Sequence, residues 1–339
     1  MRKINWGIIG LGRIAHEFAL SFNEVSNANL FSIASKDSFK LNNFKKKFNL
    51  DNKYSFSDYN DLINCDEVDI VYIALPHSLH FKWIVNCLNS NKNVLTEKPA
   101  TVNLSEIKKI NKILNDKKIF FAEGFMYRFN PQTKELIDII RSNKIGKLFK
   151  MESYFGSNIA YKKNFFGKSK LKINPKSRLF DKKLGGGAIL DLGCYPASLS
   201  ILISKLLENS KNSKIELLNK KIEYGSTDVD IDSYVDIKFS DSFVSSIGCS
   251  FTKDLGQKTI IYGSNGDLYL ENTWRSEVPI IFVNGKKLTF SLTKFKNIFS
   301  YEVESISNNI LNRELEPSFP GLNRFDTEKN MEILESWLN

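Results

Sequence analysis

The first fifteen residues limit the fold more than any other stretch. INWGII (residues 4–9) is an apolar run of strand length, and the residues after it place Ile14, Phe18, Phe22 and Val25 at helical spacing. Between them stands Gly10-Leu11-Gly12-Arg13-Ile14-Ala15. A strand that enters a helix through two glycines and a small residue needs a tight turn and close strand–helix packing. The alternation continues downstream. LFSIAS, VDIVYIAL (68–75), KNVLTE and IFFAEGF (119–125) are further strand-like runs separated by helical stretches. They predict an α/β fold that begins with a doubly wound parallel sheet, a Rossmann domain over residues 1–124.

The glycine turn carries a chemical implication. Its backbone at Gly10, Gly12, Arg13 and Ile14 presents a helix N-terminus that suits a pyrophosphate, which points to a dinucleotide cofactor. The second strand ends at Ser35-Lys36-Asp37. An acid at this edge would accept from the ribose of NAD, whereas Ser35 and Lys36 offer a hydroxyl and a positive charge to a 2′-phosphate. The residues therefore favour NADP over NAD, with Lys36 as a solvated loop lysine the competing account. Leu75, Pro76 and His80 fall at the carboxyl edge of the third long strand, where ligands bind in such sheets. His80 either touches cofactor or caps its turn. Lys98 precedes Pro99, and a cis bond there would fix the turn after KNVLTE. Asn103-Leu-Ser-Glu106 has the form of a capping box that opens the next helix.

After residue 124 the pattern changes. Pro131 opens a helix to Arg141, and residues 158–183 read as a long basic and aromatic loop. GGGAILDLGCYPASLSILISKLL resumes as helix, with Pro196 set to kink it or to start a new one. From Val229 to Phe251 the odd positions are mostly apolar, as in strands with one buried face. Asn265-Gly266 and Asn284-Gly285 each mark a hairpin. Ser57 is expected to cap a short helix, and a closing helix over 324–338 to turn Phe325, Met331, Leu334 and Leu338 inward. Residues 125–339 thus form an α+β domain with a largely antiparallel open sheet, for substrate binding and self-association as a homodimer or homotetramer.

Composition excludes some functions. The net charge of +10 comes from lysines dispersed along the chain, with frequent Asn and Ile, and no nucleic-acid module accompanies it. No apolar run is read as long enough to cross a bilayer. The four cysteines are scattered, which fits reduced thiols in a cytoplasmic protein, and three histidines give no metal set.

Two stretches carry the candidate chemistry: TEKPAT with Glu97 and Lys98, and GGGAILDLGCYP with Asp191 and Tyr195. On the residues alone, Tyr195 reads more readily as a core aromatic and Lys98 as a surface lysine. Asp191 between two leucines is harder to place in a core. Asp191 and Tyr195 are four residues apart, one face of a helix.

GLGRIA, ALPHSLH, TEKPAT, GFMYRFNP and GGGAILDLGCYP occur in the order found in the Gfo/Idh/MocA oxidoreductases, which the chain resembles over nearly its whole length. The resemblance implies NAD(P), a catalytic lysine at Lys98, and hydride exchange at a hydroxyl or keto group of a sugar, sugar nucleotide or related carbonyl compound. Many members have a histidine where this chain has Tyr195. The tyrosine is similar to the branch of dihydrodiol and D-xylose dehydrogenases and sugar-nucleotide 3-ketoreductases. Tyr195 is then the acid/base, assisted by the Lys98 ammonium and by Asp191. Glu97 is expected near the nicotinamide end of the cofactor, and Arg128 near the cleft on cofactor or substrate. Arg178 is expected either on an anionic or polyol substrate or in a surface salt bridge. Two other functions fit the same motifs: a non-enzymatic nicotinamide sensor, and a redox-neutral lyase or glycosidase that works through a transient keto sugar.

Overall fold

In the computed structural model the described residues are 2–163, 169–171, 173–175, 177–207, 215–240, 242–276, 278–290 and 294–339. The chain divides into two compact units. One comprises Met1–Asn130 and Thr293–Glu328, the other Pro131–Leu292 and Lys329–Asn339. The sequence places a single boundary after residue 124. The structure instead returns a late segment to the first unit.

The first unit is built from β1 (Ile4–Ile9), α1 (Arg13–Leu20), β2 (Ala28–Ala34), α2 (Ser38–Phe48), β3 (Ser55–Phe56), α3 (Tyr59–Ile63), β4 (Ile70–Ile73), α4 (His77–Asn89), β5 (Asn93–Glu97), α5 (Leu104–Asn115) and β6 (Phe121–Gly124). Its strands lie in the order β3-β2-β1-β4-β5-β6 and all pair in parallel. This is the Rossmann sheet expected from the apolar runs, and β4 is buried along its whole length. Gly10 has φ +89°, and a side chain there would strike Ala74 O and Leu75. The strand-to-helix turn therefore requires glycine. Asn103 accepts from the Glu106 amide as the expected N-cap, and Glu106 reaches back to the Val102 amide, one residue before the cap residue whose amide a capping box engages. The cap of α3 is Asp58, one residue beyond the expected Ser57, because the Asp58 carboxylate reaches the Asn60 amide.

The second unit contains α6 (Pro131–Arg141), β7 (Leu148–Gly156), β8 (Tyr161–Lys163), β9 (Ser169–Leu171), α7 (Cys194–Ser204), β10 (Glu216–Tyr224), β11 (Asp230–Ser240), β12 (Phe243–Ser250), β13 (Thr259–Gly263), β14 (Gly266–Leu270), β15 (Ile281–Val283) and β16 (Lys286–Lys287). Eight strands form one open sheet in the order β10-β11-β12-β7-β13-β14-β15-β16. Only the β12–β7 pair is parallel. The alternation along β11 and β12 buries Val235, Ile237, Phe239, Phe243 and Ile247, as the period of two requires. Both hairpins occur, and Asn284 and Gly285 have the positive φ of a primed turn. The stretch read as one long loop contains the β8–β9 ladder and two short 3₁₀ turns. Its residues 164–168, 172 and 176 lie outside the described residues.

Lys182–Ser204 is a 23-residue helical segment long and apolar enough to cross a membrane, contrary to the expectation that none is. Its most apolar window is 89% buried inside the protein, which marks a core helix.

The late segment adds α8 (Ile298–Leu311) to the first unit. Trp6, wholly buried on β1, donates its indole N–H to Ser307 of α8 at 3.0 Å. Phe18, Phe22, Tyr72 and Phe299 complete an aromatic cluster around this contact. The final helix, α9 (Arg324–Leu338), buries Met331 and Leu334, but Phe325 is 73% exposed and does not turn inward.

Candidate active site

The glycine turn offers a shaped opening. Gly12 stands at the N-terminus of α1, no side chain caps that end, and a Cβ on Gly12 would enter open space. Free amides at a helix N-terminus beside an uncrowded backbone fit a pyrophosphate. Ala15 is buried beneath them, Ile14 is half-buried, and Arg13 extends into solvent beside Glu17 at 3.7 Å. At the end of β2, the buried Ser35 hydroxyl accepts from the Asp37 amide, while Lys36 is exposed with its ammonium 5.7 Å from the Tyr59 ring centre. The Asp37 carboxylate turns onto its own helix, accepts from the Lys40 amide at 3.1 Å and stands 3.8 Å from the Lys40 ammonium. Asp37 thus caps α2 while remaining exposed, and Lys36 beside it is exposed as well.

Leu75 and half-buried Pro76 follow β4, and Pro76 forms the N-cap position of α4. His80 is fully buried. Its Nδ1 lies 2.8 Å from Pro99 O and its Nε2 lies 2.8 Å from Leu75 O. Both ring nitrogens face main-chain carbonyls, so His80 links the β4 and β5 strand ends and has no surface for a direct cofactor contact. Arg128 differs from expectation in the same way. It is 1% exposed, and its guanidinium donates to Tyr127 Oη and Pro320 O, each at 3.0 Å. It braces the interior of the first unit.

Lys98 is half-buried at the end of β5, and the Lys98–Pro99 bond is cis. Glu97 accepts a hydrogen bond from the Tyr72 hydroxyl. Behind this turn lies Glu123 on β6, which the sequence reading missed. It is 3% exposed, and its Oε1 accepts from the Ala100 amide at 2.9 Å. Burial pushes its carboxyl up to about 7 against the pull of the Ala100 amide, the Thr327 hydroxyl, and the Arg128 and Lys98 charges.

The second unit carries Asp191 and Tyr195. Ile189–Gly193 forms a π-helical turn that runs into α7. Pro196 sits in the first turn of α7, directly after the π-turn, and Gly193 and Cys194 keep helical backbone angles, so it does not start a separate helix. Such wide turns recur at functional sites. Arg178 Nη1 donates to Asp191 Oδ1 at 3.0 Å. Arg178 is therefore engaged with the candidate carboxylate, and not with a remote surface acid. The Tyr195 ring, 6% exposed, is fenced by Phe155 and Trp274 with ring centres at 5.3 and 5.5 Å.

Asp230 organises this turn from β11, and the sequence reading also missed it. Its Oδ2 accepts from the Ile189 amide at 2.6 Å, and the Ala188 amide pulls on the same carboxylate. Gly187 has φ +119°, and a Cβ there would lie 2.1 Å from Asp230 Oδ1. The glycine run thus admits a carboxylate as a helix cap from a distant strand. Burial pushes Asp230 up to about 6 in spite of these donors. Among the described residues no cluster of His, Cys, Asp and Glu is placed to hold a metal ion.

Residues 4–125 match the model of the Gfo/Idh/MocA oxidoreductase family with its NAD-binding Rossmann fold, and residues 133–269 match the Gfo/Idh/MocA C-terminal domain. The chain is 26% identical over 316 residues to trans-1,2-dihydrobenzene-1,2-diol dehydrogenase of Xenopus tropicalis, a span of 90% of this chain and 89% of that protein. The human protein of the same name is 25% identical over 291 residues, 85% of this chain and 80% of its own length. Among solved structures, the 3-ketoreductase KijD10 from Actinomadura kijaniata, in complex with NADP and TDP-benzene, has a TM-score of 0.82 at 20% identity, covering 99% of this chain and 97% of that one. An aldose–aldose oxidoreductase from Caulobacter crescentus, complexed with glycerol, reaches 0.84 at 18% identity, with 99% and 96% covered.

Proposed function

The chain belongs to the Gfo/Idh/MocA family of NAD(P)-dependent oxidoreductases, and from that premise we propose that it exchanges a hydride between NADP and a hydroxyl or keto carbon of a sugar, sugar nucleotide or related carbonyl compound. The observation that carries the proposal is the π-turn. With the first turn of α7 it presents a carboxylate and a phenol four residues apart, with Arg178 on the first and two aromatic rings around the second.

Bound NADP(H) supplies or accepts the hydride. The protein's task is the proton and the charge. In the reduction direction, negative charge grows on the substrate oxygen, and the Tyr195 hydroxyl gives it a proton. In the oxidation direction the phenolate takes that proton back. A phenol ordinarily titrates near 10, a poor match to neutral conditions. The Lys98 ammonium favours the phenolate and counters the oxyanion. Asp191, oriented by Arg178, accepts from a neighbouring substrate hydroxyl. The choice of NADP is supported by exposed Lys36 and by the turning of Asp37 onto α2. The relative named for a dihydrodiol and the structural neighbours named as a 3-ketoreductase and an aldose–aldose oxidoreductase support a hydroxyl- or keto-bearing substrate.

The test is turnover of NADPH or NADP by the full chain with a panel of aldoses, TDP-sugars and dihydrodiols. Lys98→Ala and Tyr195→Phe should each lower turnover by about 10²–10⁴-fold, the usual range for a positioned acid/base, with NADP affinity retained. Unchanged turnover in both variants would overturn the assignment. Tight NADP binding with no redox change on any substrate would favour a sensor.

A further inference from the structure

The turn that carries Lys98 is held from two directions by buried titratable side chains. His80 of α4 places Nδ1 2.8 Å from Pro99 O. Glu123 accepts from the Ala100 amide at 2.9 Å. The register of β6 on β5 sets Glu123 opposite Thr96, two residues before Lys98, so its carboxylate reaches the main chain immediately beyond the lysine. Three consecutive residues, Lys98 to Ala100, are thus pinned at two atoms by groups that lie in the interior.

Glu123 has more capacity than this single bond uses. Its Oε2 is buried without a hydrogen bond among the described residues, and the Thr327 hydroxyl faces it without reaching bonding geometry. The charged neighbours are Lys98 at the end of β5 and Arg128 after β6. On the α8 side, a Cβ at Gly124, the next residue, would lie 3.8 Å from the Glu302 carboxyl. His80 approaches through the turn it shares. A carboxylate in such a place acts on a nearby ammonium through a medium that screens poorly, so the interaction is stronger than between solvated groups.

We propose that Glu123 is a positioning residue for Lys98: one oxygen anchors the turn that aims the lysine, and its charge holds the ammonium in the protonated form. This rests on the reading of Lys98 as the group that meets the reacting oxygen. With Glu123 ionised, the ammonium is favoured and can counter an oxyanion. With Glu123 protonated, that support is withdrawn. The sequence disguises this role, since FFAEGF looks like a plain buried strand with one polar interruption.

The experiment needs no substrate. The full chain is acetylated with trace acetic anhydride across about pH 6 to 9, a span that brackets a buried carboxyl and a lysine, and the Lys98 peptide is quantified by mass spectrometry. Glu123→Gln retains an oxygen toward Ala100 and removes the charge. Lys98 in this variant should react about three- to tenfold faster at about pH 8 to 9, where Glu123 is ionised in the wild type, because a shift of one pKa unit is a tenfold change in free amine. Lys36 in the same digest should be unchanged, which shows that the fold is intact. In the wild-type protein the logarithm of the Lys98 rate should bend near pH 7, where Glu123 titrates; this measurement needs no variant. Equal Lys98 rates in both proteins, together with a wild-type profile free of any bend, would overturn the proposal. Full turnover in Lys98→Ala would sink the catalytic reading of Lys98 instead, and the labelling would still judge Glu123.

Discussion

Arg178 shows how a single residue changes meaning once its partner is known. Its bond to Asp191 makes it an orienting group, which separates two outcomes for Arg178→Met. If it steers Asp191, kcat falls by about tenfold, the scale of one charge-assisted hydrogen bond, and KM stays within about twofold. If it binds substrate directly, KM rises and kcat holds. Lys36 allows a second test. Lys36→Glu should weaken NADP binding by at least about tenfold and leave NAD binding within about twofold, by direct titration of each cofactor. The glycine turn was legible from local rules: only glycine fits the backbone at Gly10, and Gly12 stands at the N-terminus of α1 as the pattern predicts. Buried polar residues were not. His80, Arg128, Glu123 and Asp230 act through atoms supplied by distant parts of the chain, and no local pattern distinguishes an arginine that meets a ligand from one that meets Pro320 O.

At the scale of elements, the π-turn depends on a cap from β11. Asp230→Ala should cost about 1–2 kcal/mol of stability in denaturant unfolding, the range for a lost helix cap, and lower turnover through the displaced Asp191 and Tyr195. Asp230→Asn retains an acceptor for the Ile189 amide and should keep most of both. Equal stability of the Ala variant and the wild type would show that the cap is dispensable. The strands of this unit were readable because a half-buried strand writes its faces into alternate residues, as Val235, Ile237 and Phe239 do. The β8–β9 ladder was not, since two three-residue strands carry too few positions to establish a period.

At the scale of the molecule, the two-unit division follows contacts and not chain order. The segment that includes α8 looks in sequence like the end of the second unit, yet its apolar face belongs to the first. It also brings Glu302, 1% exposed, whose Oε1 has no hydrogen-bond partner among the described residues. Burial, and then the Glu97 charge, push its carboxyl well above the ordinary range. The folded protein therefore holds a proton that the unfolded chain releases near pH 4.3. The stability tied to that proton is complete below this point and is lost as pH rises through the higher folded value. Glu302→Gln should raise the Tm, and by more at about pH 8 than at about pH 5. A gain that is the same at both values would refute a buried acid as its source.

The hydrogen bond between Trp6 and Ser307 spans 301 positions of sequence, and this has a consequence for synthesis. A ribosome must translate past α8 before the indole finds its hydroxyl. The strands β1 to β6 emerge well before α8, so one face of that sheet stays incomplete until α8 has been made.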